Sequence, residues 1–249
     1  MRRFWYGKKP KDSSVLIEGE LFHHIFDVCR FQEGSRFELL TEESVALFVE
    51  VESLQKKRAK VVVQEERVIP PLPQPWIHLC VSLPKFSTLE EILEKAVELG
   101  VHTLHPLISD FSFVKEAKKI SDSKWERWQK IIVGATQQTG RGELLRVAPL
   151  TTLDKKIEEF NRKTKVQGLF LYEGQSPLRL HQALAPWKSQ PLEEIWAFIG
   201  SEGGFSQQEV NVFERQSLPP VTLGRQILRV ETACLAVASI LKYEFGLAD

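Results

Sequence analysis

Only three cysteines occur among the 249 residues: Cys29, Cys80 and Cys234. They are far apart, odd in number and in no CxxC pair. That argues against a disulfide framework and a zinc site, and fits a reducing cytoplasm. Long apolar runs are missing too. None approaches the ~20 residues that a membrane-spanning helix needs, and the opening MRRFWYGKKPKD turns polar too soon for a secretory leader. Net charge is also lacking, because 33 Lys and Arg balance 33 Asp and Glu. No global field draws the chain to a polyanion, so any nucleic-acid role has to come from local patches. Three common signatures are absent as well. There is no G-x-G-x-x-G dinucleotide loop, no lysine closing a phosphate loop and no G-x-S-x-G nucleophile turn. The expectation is a cytoplasmic protein with neither a metal nor a membrane partner.

What is present organises the chain in two parts. The prolines of IPPLPQP (69–75) favour extended backbone and forbid helix, which marks a linker. Before it, FELL (37–40), ALFVEVES (46–53) and AKVVVQE (59–65) read as strands separated by polar turns, with a short helix in EGELFHHIFDVCRF (18–31). That pattern suits a small β-barrel over residues 1–72. After the linker, strands at 76–83, 102–109, 166–171, 195–200 and 221–224 alternate with helices at 88–100, 121–138, 176–184, 206–216 and 231–245. Alternation of this kind predicts an α/β domain over 73–249, built on a parallel sheet with both faces covered.

Two basic stretches stand out in the balanced chain. Residues 113–146 hold eight cations, among them Lys115, Lys118, Lys119, Lys124 and Arg141, against four acids; Lys56, Lys57, Arg58 and Lys60 form the second cluster. Each fits a solvated face as well as a nucleic-acid patch. Trp125 and Trp128 share a helical stripe with Ile131, Ile132 and Ala135, which assigns them to the core.

Ligands on parallel sheets sit at the carboxyl ends of strands, and three loops fall there: LYEG (171–174), IGSEGGFSQQE (199–209) and LGRQILRVET (223–232). In the second, Gly203 and Gly204 open backbone geometry closed to other residues, and Ser206 with Glu209 spells a capping box. A tight turn that binds nothing and a backbone cradle for a small molecule both account for it. In the third, Arg229 and Glu231 precede an apolar helix. They fit either a buried structural ion pair or an arginine set over a substrate with the glutamate orienting it.

IGSEGGFSQQE followed by LGRQILRVETA resembles the C-terminal signature of the ribosomal RNA small-subunit uridine N3-methyltransferase family, within the knotted SPOUT methyltransferases. LPKFSTLEEILEKAVELGV (83–101), WQKIIVGATQQTGR (128–141) and HHIFDVCRFQEGS (23–35) are similar to further blocks of that family. The likeness therefore spans nearly the whole chain. It implies a SPOUT-type trefoil-knotted domain preceded by a PUA-like RNA-binding barrel, a homodimer, S-adenosylmethionine as methyl donor, and N3 of one uridine of 16S rRNA in the small ribosomal subunit as target. Carried over by position, the donor lies against Leu171, Tyr172, Glu173 and Gly174, against Ile199, Gly200, Glu202, Gly203 and Gly204, and against Leu223, Gly224, Ile227, Leu228 and Arg229. Arg229 is the expected stabiliser of the uridine anion, with Glu231 holding it. Arg30, Lys85, Gln138 and Arg141 are the expected RNA contacts. The chain departs from the family pattern at Ser201, where proline is usual, at Phe111, where arginine is usual, and in a longer segment between Arg141 and Pro149. The competing readings are a non-catalytic RNA-binding assembly factor, an ordinary nucleotide-binding enzyme, and a knotted enzyme with another target nucleotide.

Overall fold

The computed structural model describes residues 1–116, 120–174 and 178–248. Lys118 and Lys119 of the basic stretch, and Ser176 and Pro177 at the head of the expected 176–184 helix, lie outside the described residues. The chain forms two compact units, Met1–Pro71 with Val133–Leu144, and Leu72–Ile132 with Leu145–Asp249.

The first unit is one five-stranded sheet. Its strands are β1 (Arg3–Gly7), β2 (Ser14–Glu18), β3 (Arg36–Thr41), β4 (Val45–Gln55) and β5 (Arg58–Val68), in the order β1-β3-β4-β5-β2. Only β1 and β3 pair parallel. Period-2 alternation decides the facing: Leu47, Val49 and Val51 are buried, while Glu50 and Glu52 look outward. The helix α1 (Gly19–Phe22) runs on into a wider helical turn, His23–Val28. Phe22, Ile25 and Phe26 from this segment enter the same core as Phe4, Phe37 and Leu39. His23 and His24 stay exposed, and His23 Nδ1 lies 2.8 Å from Asp27 Oδ2. The 133–144 segment is stitched in by polar bonds. The Trp5 amide donates to Gln137 Oε1 (2.8 Å), and the Ser44 hydroxyl donates to the Gly142 carbonyl (3.2 Å).

The second unit is an eight-stranded sheet in which every pair is parallel. It contains β6 (Trp76–Ser82), β7 (Thr103–Ile108), β8 (Arg146–Val147), β9 (Thr151–Thr152), β10 (Val166–Leu171), β11 (Leu178–Arg179), β12 (Glu194–Ile199) and β13 (Pro220–Thr222). The order is β11-β13-β10-β12-β6-β7-β8, with β9 also on β7. Helices α2 (Phe86–Glu98), α3 (Asp122–Thr139, its residues from Val133 on counted with the first unit), α4 (Leu153–Asn161), α5 (Leu180–Leu184) and α6 (Gln207–Arg215) run between strands, and α7 (Val230–Glu244) follows β13. The continuous apolar runs of β6 and β12 are what a sheet covered on both faces demands. Trp128 and Ile132 of α3 are fully buried and Trp125 is half-buried, as the stripe implied. The longer 141–149 segment supplies β8, the edge strand on β7.

Candidate functional site

Strands β13, β10 and β12 are neighbours in the sheet, so the loops at their carboxyl ends meet. Together with Lys85 and Thr88 at the start of α2 they line a cleft of about 740 Å³, within the usual range for small-molecule sites, roughly 300–1,000 Å³. Leu171, Tyr172, Glu173 and Gly174 come from the first loop. Ile199, Gly200, Glu202, Gly203 and Gly204 come from the second, and Leu223, Ile227, Leu228, Arg229 and Glu231 from the third. Of the residues expected against a donor, Gly224 alone is not in the lining. It holds the bend beyond β13 at φ 138°, where the Thr222 hydroxyl donates to its carbonyl (2.7 Å). Lys85, expected at RNA, is among the residues that line this cleft. Thr88, Phe205 and Gln226 also line it and were missed: each sits inside a quoted segment, but neither its residue type nor its spacing singles it out.

The glycine turn is built for backbone approach. Gly204 has φ 71°, and its amide donates to the Ser201 carbonyl at 2.8 Å. A Cβ on Gly200 would sit 2.6 Å from the Gly204 carbonyl carbon, and one on Gly203 would sit 2.9 Å from Phe111 Cβ. The Ser201 hydroxyl donates to the Phe111 carbonyl at 2.7 Å. A side-chain bond thus ties the turn down at the position where the resemblance puts a proline. The capping box forms as expected. Ser206 Oγ accepts from the Glu209 amide (3.3 Å), and Glu209 Oε2 accepts from the Ser206 amide (2.9 Å). Glu209 also reaches out of its helix to accept from the Asp110 amide at 2.8 Å.

Arg229 is the last residue before α7. Its backbone is extended and its side chain does not cap the helix, so the amino end of α7 opens on the cleft through Arg229, Val230 and Glu231. Two sequence expectations need correcting here. Arg229 is exposed and Glu231 half-buried, and no ion pair joins them among the described residues. The buried structural pair is therefore absent, and Glu231 does not hold Arg229. Arg141 is the second correction. It lies in the first unit and is 9% exposed, and burial lowers its guanidinium to about 10. It offers no surface for a phosphate. Arg30 and Gln138, also in the first unit, are exposed, Arg30 in the left-handed region at φ 59°.

The cleft suits an organic cation with an apolar part. Leu171, Ile199 and Leu228 give apolar surface, bare backbone at the glycines gives amides and carbonyls, and Glu173, Glu202 and Glu231 give carboxylates. Nothing here is a thiol nucleophile, since Cys80 and Cys234 are buried away from the lining and burial raises both thiols. Among the described residues no group of His, Cys, Asp and Glu is arranged to hold a metal ion.

Comparison with known proteins shows the family. The RNA methyltransferase domain family fits residues 70–242, and the RNA methyltransferase PUA domain family fits residues 17–64. Ribosomal RNA small subunit methyltransferase E of Helicobacter pylori J99 is 30% identical, over 96% of this chain and 98% of the relative. The Bacillus subtilis protein of the same name is 30% identical, over 92% and 89%. A crystal structure of the Neisseria gonorrhoeae enzyme bound to S-adenosyl methionine superposes with TM-score 0.83 at 25% identity, covering 98% of this chain and 97% of that one. A putative methyltransferase from Legionella pneumophila in complex with the same cofactor gives 0.81 at 26%, covering 97% and 96%. Matched from end to end in sequence and in fold, the chain belongs to the ribosomal RNA small subunit methyltransferase E family of RNA methyltransferases.

Proposed function

We propose that this RNA methyltransferase takes its methyl group from S-adenosylmethionine and places it on N3 of a uridine in 16S rRNA, acting on the small ribosomal subunit. One observation carries the reading: three strand-end loops and the uncapped amino end of α7 close on a single cleft with an exposed guanidinium, Arg229, at its edge. The glycine turn and the apolar Leu171, Ile199 and Leu228 would hold the donor's nucleoside. Glu173, Glu202 and Glu231 favour its positive charge. When bound, the donor supplies a methyl group on a sulfonium, open to displacement.

The chain's own part is alignment and charge. Alignment of two reactants in a fixed geometry accounts for much of such a rate gain. Uracil N3 attacks only once its proton has gone, so negative charge develops on the ring. Arg229 and the positive end of α7 stabilise that charge. N3 lies on the pairing edge, so the target base is bound unpaired.

The first unit, with exposed Arg30 and Gln138, is assigned to RNA. The trefoil knot and the homodimer belong to the same reading. α7 leaves Leu235, Ala236 and Ile240 half-buried and Tyr243 exposed, a face suited to a second copy. No helix among the described residues is long and apolar enough to cross a membrane; the cytoplasm, where the small subunit is found, is the site of action that this reading implies. A labelled donor assay on unmodified small subunits tests the reading. Label is expected in 16S rRNA as N3-methyluridine, and label on another nucleotide, or none, would refute the assignment.

A further inference from the structure

Beside the cleft the second unit keeps two phenyl rings in water. Phe111 and Phe113, on the loop after β7, are 50% and 55% exposed. Their backbone is held by buried serines. The Ser82 and Ser109 hydroxyls bond each other, the Ser109 amide donates to Ser112 Oγ (3.2 Å), and the Ser112 hydroxyl reaches the Ser109 and Val114 carbonyls (2.9 Å each). Ser112 and Val114 turn inward while the two phenylalanines between and before them turn out. Phe113 meets Phe86 edge-on, with centroids 5.6 Å apart. Phe111 lies against the glycine turn through the Ser201 bond and the Gly203 contact. An aromatic ledge on a hydrogen-bonded backbone therefore lies beside the cleft, where Lys85 is also exposed.

We propose that this ledge stacks an unpaired nucleobase next to the target uridine, with Phe111 carrying the base and Phe113 supporting it. The inference rests on the RNA reading above. A nucleotide held out of its helix leaves its neighbours without their stacking partner, and aromatic side chains are the usual replacement. Two rings fit one base, whereas an interface between copies needs roughly 800 Å² per partner. A backbone held in advance leaves only side-chain freedom to be lost on binding.

The test is fluorescence anisotropy with a labelled single-stranded, uridine-rich RNA 12-mer, without donor. Phe111→Leu keeps apolar volume but removes the ring face, and is expected to weaken binding about tenfold. Phe111→Trp is expected to stay within about twofold of the parent, because it keeps a stacking face. Donor affinity by calorimetry is expected to be unchanged in both. Equal binding by Phe111→Leu, or no binding by the parent protein, overturns the ledge. Loss of donor affinity in Phe111→Leu would mean the ring only props Gly203, and a changed sedimentation profile would mean it joins two copies; either result overturns the proposal too. Methyl transfer to small subunits is scored separately. If it fails, the uridine reading falls while the oligonucleotide series still decides the ledge.

Discussion

Arg229 combines three properties that a single residue seldom has without a use: it is exposed, it ends a loop at a helix start, and it lines the cleft. Its removal should therefore leave folding alone and damage chemistry. Arg229→Ala is expected to lower kcat about 10²–10³-fold, the usual loss when one charge-stabilising donor goes, with an unaltered melting curve. Single-turnover methylation beside a thermal melt checks this, and near-parental turnover would remove Arg229 from the reaction. Gly200 acts in the opposite way, through space. An added methyl would lie 2.6 Å from the Gly204 backbone, which cannot yield as a flexible side chain could. Gly200→Ala is expected to open the turn and to weaken donor binding at least tenfold by calorimetry, because the preorganised backbone is lost. These residues were legible because each motif is contiguous and a strand end dictates where it points. The lack of an ion pair between Arg229 and Glu231 and the burial of Arg141 were not, since burial and contact are set by distant segments that local spacing does not encode.

Among the elements, the long periodic ones could be read directly. Helices α2, α3 and α7 and strands β6, β7 and β12 lie within two residues of their expected ends. Strands β8, β9 and β11 have two residues each, too few to show a period. Strands β1 and β2 were missed, as was α4. The apolar stripe of α4 is only Leu153, Ile157 and Phe160, set among five charged residues. Helix α6 carries an energetic consequence. Ser206→Ala removes one cap acceptor and the hydroxyl's bond to the Asp110 carboxylate, and is expected to cost about 1–2 kcal/mol. Glu209→Ala strips acceptors from both the Ser206 and Asp110 amides and should cost more, on the order of 2–3 kcal/mol. It also frees the loop that carries Phe111. Urea unfolding of the two variants checks the ranking, and equal midpoints would show that the Glu209 carboxylate adds nothing beyond what the Ser206 hydroxyl already holds.

Across the whole molecule, neither the joining of 133–144 to the first unit nor a buried histidine network within the second could be read from the chain. His78 Nδ1 lies 2.9 Å from His105 Nε2, and Lys156 Nζ lies 3.1 Å from His105 Nδ1. Trp196 stacks on both rings and donates through Nε1 to Glu194 Oε2 at 2.7 Å. Lys163 ion-pairs with Glu194 at 2.8 Å. Burial, opposed by Glu194, lowers His78 to about 3, and burial with Lys156 lowers His105 to about 2. Both rings are thus neutral in the folded protein. In the unfolded chain they bind protons below about 6.5. As pH falls under that value the unfolded state takes up protons that the folded state refuses, so stability is complete above about pH 6.5 and drains away towards pH 3. The limiting slope is about 1.4 kcal/mol per pH unit for each histidine. Urea midpoints from pH 7.5 to 4.5 are expected to fall steeply below pH 6. A His78→Gln, His105→Gln double variant should start lower at pH 7.5, having lost a packed ring pair, and then fall more gently. Parallel curves for the two proteins would show that these rings do not set the acid limit and that carboxylates elsewhere do.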